Sequence, residues 1–400
     1  MPSTPNHGLR YPSSTDIPRG DQQIQNLAED TDGLLNSTFA ASTSATLVNL
    51  VDGKNVQKAV VRTWATPSKL TNPGTLPTGT GRGTAWSPDG RFLSVAHLTS
   101  PYITIYERSG TTFTKLTDPG TLPASMGVGT AWSPDGRFLS VAHYASPYIT
   151  IYERSGTTFT KLTNPGTLPP NTGVGTAWSP DGRFLAVAHA TSPYITIYER
   201  SGTTFTKLTD PGTLPVGTGL GTAWSPDGRF LSVAHDTSPY ITIYERSGTT
   251  FTKLTNPGTL PASTGRGTAW SPDGRFLSVA HATSPYITIY ERSGTTFTKL
   301  TNPSTLPANT GWGTAWSPDG RFLSVAHDTS PYITIYERIG TTFTKLTNPG
   351  TLPTGTGYSP TWSPDGRFLS VAHDTSPYIT VYQTSGSTPT GPARPIELLD

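Results

Sequence analysis

The stretch Gly83-Thr84-Ala85-Trp86-Ser87-Pro88-Asp89-Gly90-Arg91-Phe92-Leu93-Ser94-Val95-Ala96-His97 decides the fold, because the chain returns to it six more times. Its tryptophan recurs as Trp132, Trp178, Trp224, Trp270, Trp316 and Trp362, always 46 residues on. Seven near-identical units of that length indicate a propeller or an array. Each unit reads as four short strands cut by turns. Residues 83–87 form the first, 91–97 the second, 102–107 the third and 112–117 the fourth. Between the first two, Ser87-Pro88-Asp89-Gly90 makes a turn, with proline where φ must be pre-set and glycine free to go left-handed. Four strands joined by tight hairpins make one blade.

Closure of the ring is also legible. The seventh copy ends at Tyr378-Ile379-Thr380-Val381-Tyr382, and no Phe-Thr-Lys-Leu strand follows it. The missing piece stands before the first tryptophan, where Ser68-Lys69-Leu70-Thr71 matches Thr114-Lys115-Leu116-Thr117. The N-terminal strand, placed at 62–71, therefore completes the last blade and covers its edge. The fold class expected is all-β: a seven-bladed propeller of four-stranded blades over 62–384, with a tail at 385–400.

Composition agrees with that reading. Only 33% of residues are hydrophobic but 10% are aromatic, so large rings must supply the core. A buried aromatic removes about 150–250 Å² from water. Net charge is +2, which offers no basic stripe for nucleic acid. Cysteine is absent, excluding disulfides and thiol chemistry. No apolar run is long enough to insert into a membrane.

Residues 1–61 stand outside the repeat. Residues 1–20 are rich in Pro, Ser, Asn and Gly, and read as extended. Asp21 opens a short helix to about Leu35, with its carboxylate at the positive end of the dipole. Along it Ile24, Leu27, Thr31 and Leu34 step by three and four, a coiled-coil seam of two heptads. That seam points to a homo-oligomer, with a trimer favoured. Residues 37–61 read as a Ser/Thr/Ala-rich tether.

The same N-terminal stretch carries a resemblance. His7-Gly8-Leu9-Arg10-Tyr11-Pro12, Thr15-Asp16-Ile17-Pro18 and Gln25-Asn26-Leu27-Ala28 resemble the N-terminal anchor of phage tail and head-fibre proteins. The resemblance implies a virion protein docked to other virion proteins through residues 1–36, with Tyr11, Pro12, Asp16 and Pro18 as anchor residues. The repeats resemble WD-repeat proteins and lactonase-like propellers through Ala-Trp-Ser-Pro-Asp-Gly-Arg-Phe-Leu-Ser-Val-Ala-His and the following Ile-Thr-Ile-Tyr. The Trp-Asp pair of the first family is replaced by Tyr-Glu or Tyr-Gln. Fold transfers with such a resemblance; function does not.

Seven copies in one chain can be compared with each other. The strands and the Ser-Pro-Asp-Gly turns barely change; Ser94 becomes Ala186 in the third copy, and Ser109 becomes Ile339 in the sixth, so only the glycine of that turn is expected at positive φ, which isoleucine would not tolerate. Variation gathers in two places. One precedes the first strand: Arg82, Val128, Val174, Leu220, Arg266, Trp312 and Tyr358. The other follows the second strand: Leu98, Tyr144, Ala190, Asp236, Ala282, Asp328 and Asp374. Strands alternate up and down, so both places emerge at one end, around the mouth of the central channel. A rigid scaffold with diversified loops on one face is laid out for recognition. The sector expected to bind a host-surface glycan or protein is Arg82, Arg266, Trp312 and Tyr358, with Asp328 and Asp374 beside it.

Catalysis needs a nucleophile, acid or base placed once, and the repeats supply none. Histidines 97, 143, 189, 235, 281, 327 and 373 recur once per blade and read as repeated structural hydrogen bonds. Ligands on different blades also sit too far apart to close one metal sphere. Glu107 and Arg108 read as an exposed pair of little net energy. No enzyme activity, metal or cofactor is expected. The leading expectation is a virion protein that binds the host cell; the alternatives are a virion decoration protein without a ligand and a bacterial protein-binding scaffold.

Overall fold

The structure, a computed structural model, describes residues 47–52, 55–60 and 66–384, with side chains for 66–384. The chain divides into two units at Trp64/Ala65. In the first, Leu47–Asp52 pairs antiparallel with Asn55–Val60 in a two-stranded sheet, from Leu47 opposite Val60 to Asp52 opposite Asn55. This stretch lies inside the segment expected to be a tether; its Leu, Val and Asn-Val-Gln alternation carries a strand signal that the surrounding Ser and Thr obscure. The expected helix with its Ile24, Leu27, Thr31 and Leu34 seam, and the anchor residues Tyr11, Pro12, Asp16 and Pro18, lie outside the described residues.

The second unit is seven antiparallel four-stranded sheets. Blade one comprises Gly81–Trp86, Phe92–His97, Ile103–Ser109 and Thr112–Lys115, and the next five repeat it. In blade seven, Gly357–Trp362, Phe368–His373 and Ile379–Gln383 are completed by Ser68–Lys69 from the other end of the chain. Ser68 pairs with Gln383 and Lys69 with Tyr382, and Leu70 N–H donates to the Val381 carbonyl at 2.8 Å. Among the described residues the closing strand stands where the missing copy required it; residues 62–65 of the expected 62–71 lie outside them. No helix occurs among the described residues.

The second strand of each blade is buried along its whole length, because a neighbouring sheet covers each of its faces. Phe92 of blade one stacks on Trp132 of blade two, with centroids 5.9 Å apart and planes 19° apart. Phe159 of blade two meets both edge-on, at 6.2 and 5.6 Å. The Trp132 indole N–H crosses the junction to Ser94 Oγ at 3.2 Å. Each such contact adds about 0.5–1.5 kcal/mol beyond simple area burial.

A second link spans the junctions at the turn end. Arg154 donates through Nε to Gly136 of its own blade, lies over the Phe92 ring of the previous blade at 5.0 Å, and approaches Asp89 there at 3.9 Å. Arg108 does the same to Phe368 and Asp365. The expected Glu107–Arg108 pair is therefore wrong: adjacent strand residues face opposite sides. Glu107 instead pairs with Arg91 at 2.6 Å, on its own blade. Burial pushes the Asp89 carboxyl up, but the Ser87 hydroxyl, the Arg91 amide and the Arg154 guanidinium outweigh it and hold it below its ordinary value. Blade seven has Thr384 where the others have this arginine; its hydroxyl keeps the bond to Gly366 O, but nothing from that position crosses to Asp319.

The turn between third and fourth strands bears out the reading from Ile339: glycine alone is left-handed there, φ +59° at Gly110 and at Gly340. Tyr102 and its six counterparts are also left-handed, at φ 64–67°, a conformation that no sequence signal announced.

The Ser94→Ala186 difference has a structural consequence. Ala186 has no hydroxyl to offer, and Trp224 Nε1 is buried without a partner. Thr222, which loses the same partner, turns to the Ser232 carbonyl at 3.1 Å. Nothing in the structure explains why blade three carries alanine. Ala186→Ser should raise the unfolding free energy by about 1 kcal/mol, measured by denaturant titration, because it satisfies a buried donor; an unchanged or lower value would refute this. Deleting residues 62–71 should expose the third strand of blade seven and cause aggregation or a large fall in melting temperature. A truncated ring that melts like the full chain would show that the closing strand does not seal it.

Candidate functional site

The channel mouth is built by a backbone irregularity. In blade one Gly81 pairs with His97 and Gly83 with Ala96, so Arg82 is an extra residue with no partner across the ladder. The same bulge occurs in all seven blades. A bulge re-aims the residue it carries. Here it delivers Arg82, Val128, Val174, Leu220, Arg266, Trp312 and Tyr358 to one open cavity of about 580 Å³.

The glycine after each bulge is required by close approach. A Cβ on Gly83 would lie 2.6 Å from the Val128 carbonyl oxygen, because first strands of adjacent blades nearly touch at the axis. Threonines follow and form the cavity floor. Blade seven departs from this with Ser359-Pro360 in place of Gly-Thr. There Thr84 donates to the Ser359 carbonyl at 3.2 Å and meets Thr361 Oγ1 at 2.9 Å. That substitution is visible in the sequence as a break in the repeat, though its place on the cavity floor is not.

The two variable loops of each blade are hydrogen-bonded to one another. Leu98 N–H donates to Thr80 O at 3.1 Å, Asp328 N–H to Thr310 O at 3.3 Å and Asp374 N–H to Thr356 O at 3.3 Å. Diversity in both loops thus converges on one face.

The structure brings four of the six expected binding residues into a single stack. Arg266 lies over the Trp312 ring at 3.7 Å. Trp312 meets Tyr358 edge-on at 5.1 Å, and Arg82 covers Tyr358 at 4.0 Å. A fifth residue supports them: Asp328 accepts the Trp312 indole N–H and so fixes the ring. Neither Asp328 nor Asp374 lines the cavity. Asp374 Oδ1 accepts from the Thr375 hydroxyl at 3.0 Å. Tyr144, nearly half exposed, and Ala190 are the second-loop residues that do reach the mouth, on the side opposite the stack.

Burial lowers the Arg266 pKa and the Arg82 charge lowers it further, while Asp328 opposes both. Burial raises the Tyr358 phenol, and Arg82 pulls it back. The net shift of Tyr358 is upward, so its phenol stays neutral at physiological pH.

On the second strand of each blade, opposite the glycine that precedes the bulge, stands a histidine. His97 Nε2 meets Thr104 Oγ1 at 2.9 Å, and each of the other six makes the same bond. All are fully buried. The repeated pair ties second strand to third, the structural bond expected. Burial pushes each imidazolium down to about 4.

Comparisons with known proteins bear on this site only through the fold. A family described as "Lactonase, 7-bladed beta-propeller" matches residues 221–309, under a quarter of the chain. No curated protein matches. Among solved structures, hydrazine synthase of Kuenenia stuttgartiensis is similar with a TM-score of 0.61 at 17% identity, over 79% of this chain and 99% of that one. Altogether 1391 solved chains match, so the shape alone does not select a function. The lactonase-like seven-bladed propeller is supported. Both names are those of enzymes, and at this identity and coverage they speak for the fold alone.

The histidines generate a pH prediction. Unfolded, they titrate near 6.5; folded, they resist protonation down to about 4. Their stabilisation is complete above pH 6.5 and falls by about 1.4 kcal/mol per pH unit for each histidine as pH drops toward 4. Seven act together, so the melting temperature should fall steeply below pH 6. A melting temperature flat from pH 7 to 4.5 would refute it.

Proposed function

We propose that the protein is a recognition propeller that binds a surface ligand, glycan or protein, at the mouth of its ring. One observation carries the reading. The residues that break sevenfold symmetry, Arg266, Trp312, Tyr358 and Arg82, form one contiguous stack on one side of an open cavity. Trp, Tyr and Arg dominate binding hot spots. The aromatic rings are held by guanidiniums and by Asp328, so little ordering remains to be done on binding.

A hydrolytic reading, which the lactonase resemblance and match invite, asks for an acid or base at the site. The cavity lining contains no His, Asp, Glu, Lys or Cys among the described residues. Binding without chemistry is the better fit. The resemblance of residues 7–32 to phage fibre anchors supports placing this propeller on a virion, joined to other virion proteins by its N-terminal segment and presenting the mouth to a host cell.

Trp312→Ala and Tyr358→Ala should each weaken adsorption of the full chain to bacterial cells by about 2 kcal/mol, as truncated hot spots do, without moving the melting temperature. Val128→Ala and Val174→Ala, on the other side of the mouth, serve as controls. Wild-type adsorption by the aromatic variants, or equal losses in the valine variants, would overturn the reading.

A further inference from the structure

Four observations narrow the chemistry of the ligand. The first is charge. The cavity is lined by Arg82 and Arg266 and by no carboxylate. Among the described residues neither guanidinium makes an ion pair or hydrogen bond, and Arg266 Nε is buried without a partner. Unpaired buried donors are costly unless something arrives to accept from them.

The second is orientation. A guanidinium stacked face-on over a ring keeps its five N–H donors in its own plane, pointing away from the ring. Contact of Arg266 with Trp312 at 3.7 Å and of Arg82 with Tyr358 at 4.0 Å therefore holds two forks in place without using their donors.

The third is what covers the aromatic rings, which the sequence places beside both guanidiniums and the carboxylates of Asp328 and Asp374. In the structure an arginine covers a face of each ring, Asp328 is engaged by the Trp312 indole, and neither aspartate lines the cavity. What this side of the mouth presents is positive charge.

The fourth is the rest of the cavity. Across from the arginines stand Val128, Val174 and Leu220, an apolar wall, above a floor that includes Thr176 and Thr222. A pyranose has an apolar C–H face for such a wall.

We propose that the mouth binds an acidic saccharide, a uronate or sialate unit, with its carboxylate held between Arg82 and Arg266 and its C–H face toward Val128, Val174 and Leu220. A carboxylate matches the planar fork with two parallel hydrogen bonds. Asp328, close enough to act on the Arg266 charge, favours a singly charged anion over a phosphate dianion. The inference rests on the recognition reading above and specifies its ligand.

The test is calorimetric titration of the full chain with glucuronate-ended and sialate-ended oligosaccharides. Each is run beside its twin in which the carboxylate has been reduced to an alcohol. At least one acid should bind about tenfold or more tightly than its twin, the worth of one good charge-assisted pair. Added salt should narrow that gap. Arg82→Gln and Arg266→Gln should each remove it while circular dichroism melting stays unchanged. Equal binding of acids and twins, binding of neither, or tighter binding of a sugar phosphate would overturn the proposal. If it falls while Trp312→Ala still lowers adsorption to cells, the recognition reading survives without it; if Trp312→Ala adsorbs normally, that reading falls as well.

Discussion

The ring depends on one contact between blades: a tryptophan face laid on the phenylalanine of the preceding sheet, with the indole N–H given to that sheet's serine. The contact is both apolar and directional. Stacking of Phe92 on Trp132 removes a large surface from water, while the bond to Ser94 sets the depth and rotation at which the sheets meet. A small angular error per junction would accumulate around a closed ring, so a directional bond, present at every junction but the one where Ala186 stands, matters more here than in an open sheet. The arginine that crosses to the neighbouring aspartate repeats this logic near the turns.

Rigidity at the junctions is what permits variety at the mouth. Each bulged residue projects from a strand whose neighbours on both sides are fixed by glycine contacts at the axis. A side chain there can change from valine to tryptophan without disturbing the sheet, because it has no cross-strand partner to lose. Sevenfold scaffolding and one-sided chemistry therefore coexist in the same strands.

Much of the fold was legible because the repeat supplies its own comparison. Strand number, closure by residues before the first blade and convergence of Arg266, Trp312, Tyr358 and Arg82 all followed from period and alternation. Other features needed three dimensions. The bulge at Arg82 depends on a count of residues on two paired strands, which no single-strand pattern reveals. The partner of Arg108 lies on another blade, and spacing along one strand gave the wrong neighbour. Left-handed Tyr102 violates the ordinary preference of its residue type. Guanidinium stacking over Trp312 and Tyr358 is a choice among rotamers, and so invisible in a string of letters.

The closing strand raises a question of address. Ser68-Lys69-Leu70 has nearly the side chains of every other fourth strand, so little in its own chemistry directs it to blade seven. Six third strands are each paired with a segment tethered through a two-residue turn such as Gly110–Thr111, at an effective concentration that a distant segment cannot match. Blade seven is left over because nothing local fills it. Correct closure is thus specified by connectivity rather than by recognition, and the number of blades in the ring is set by the number of copies between the closing strand and the edge it fills.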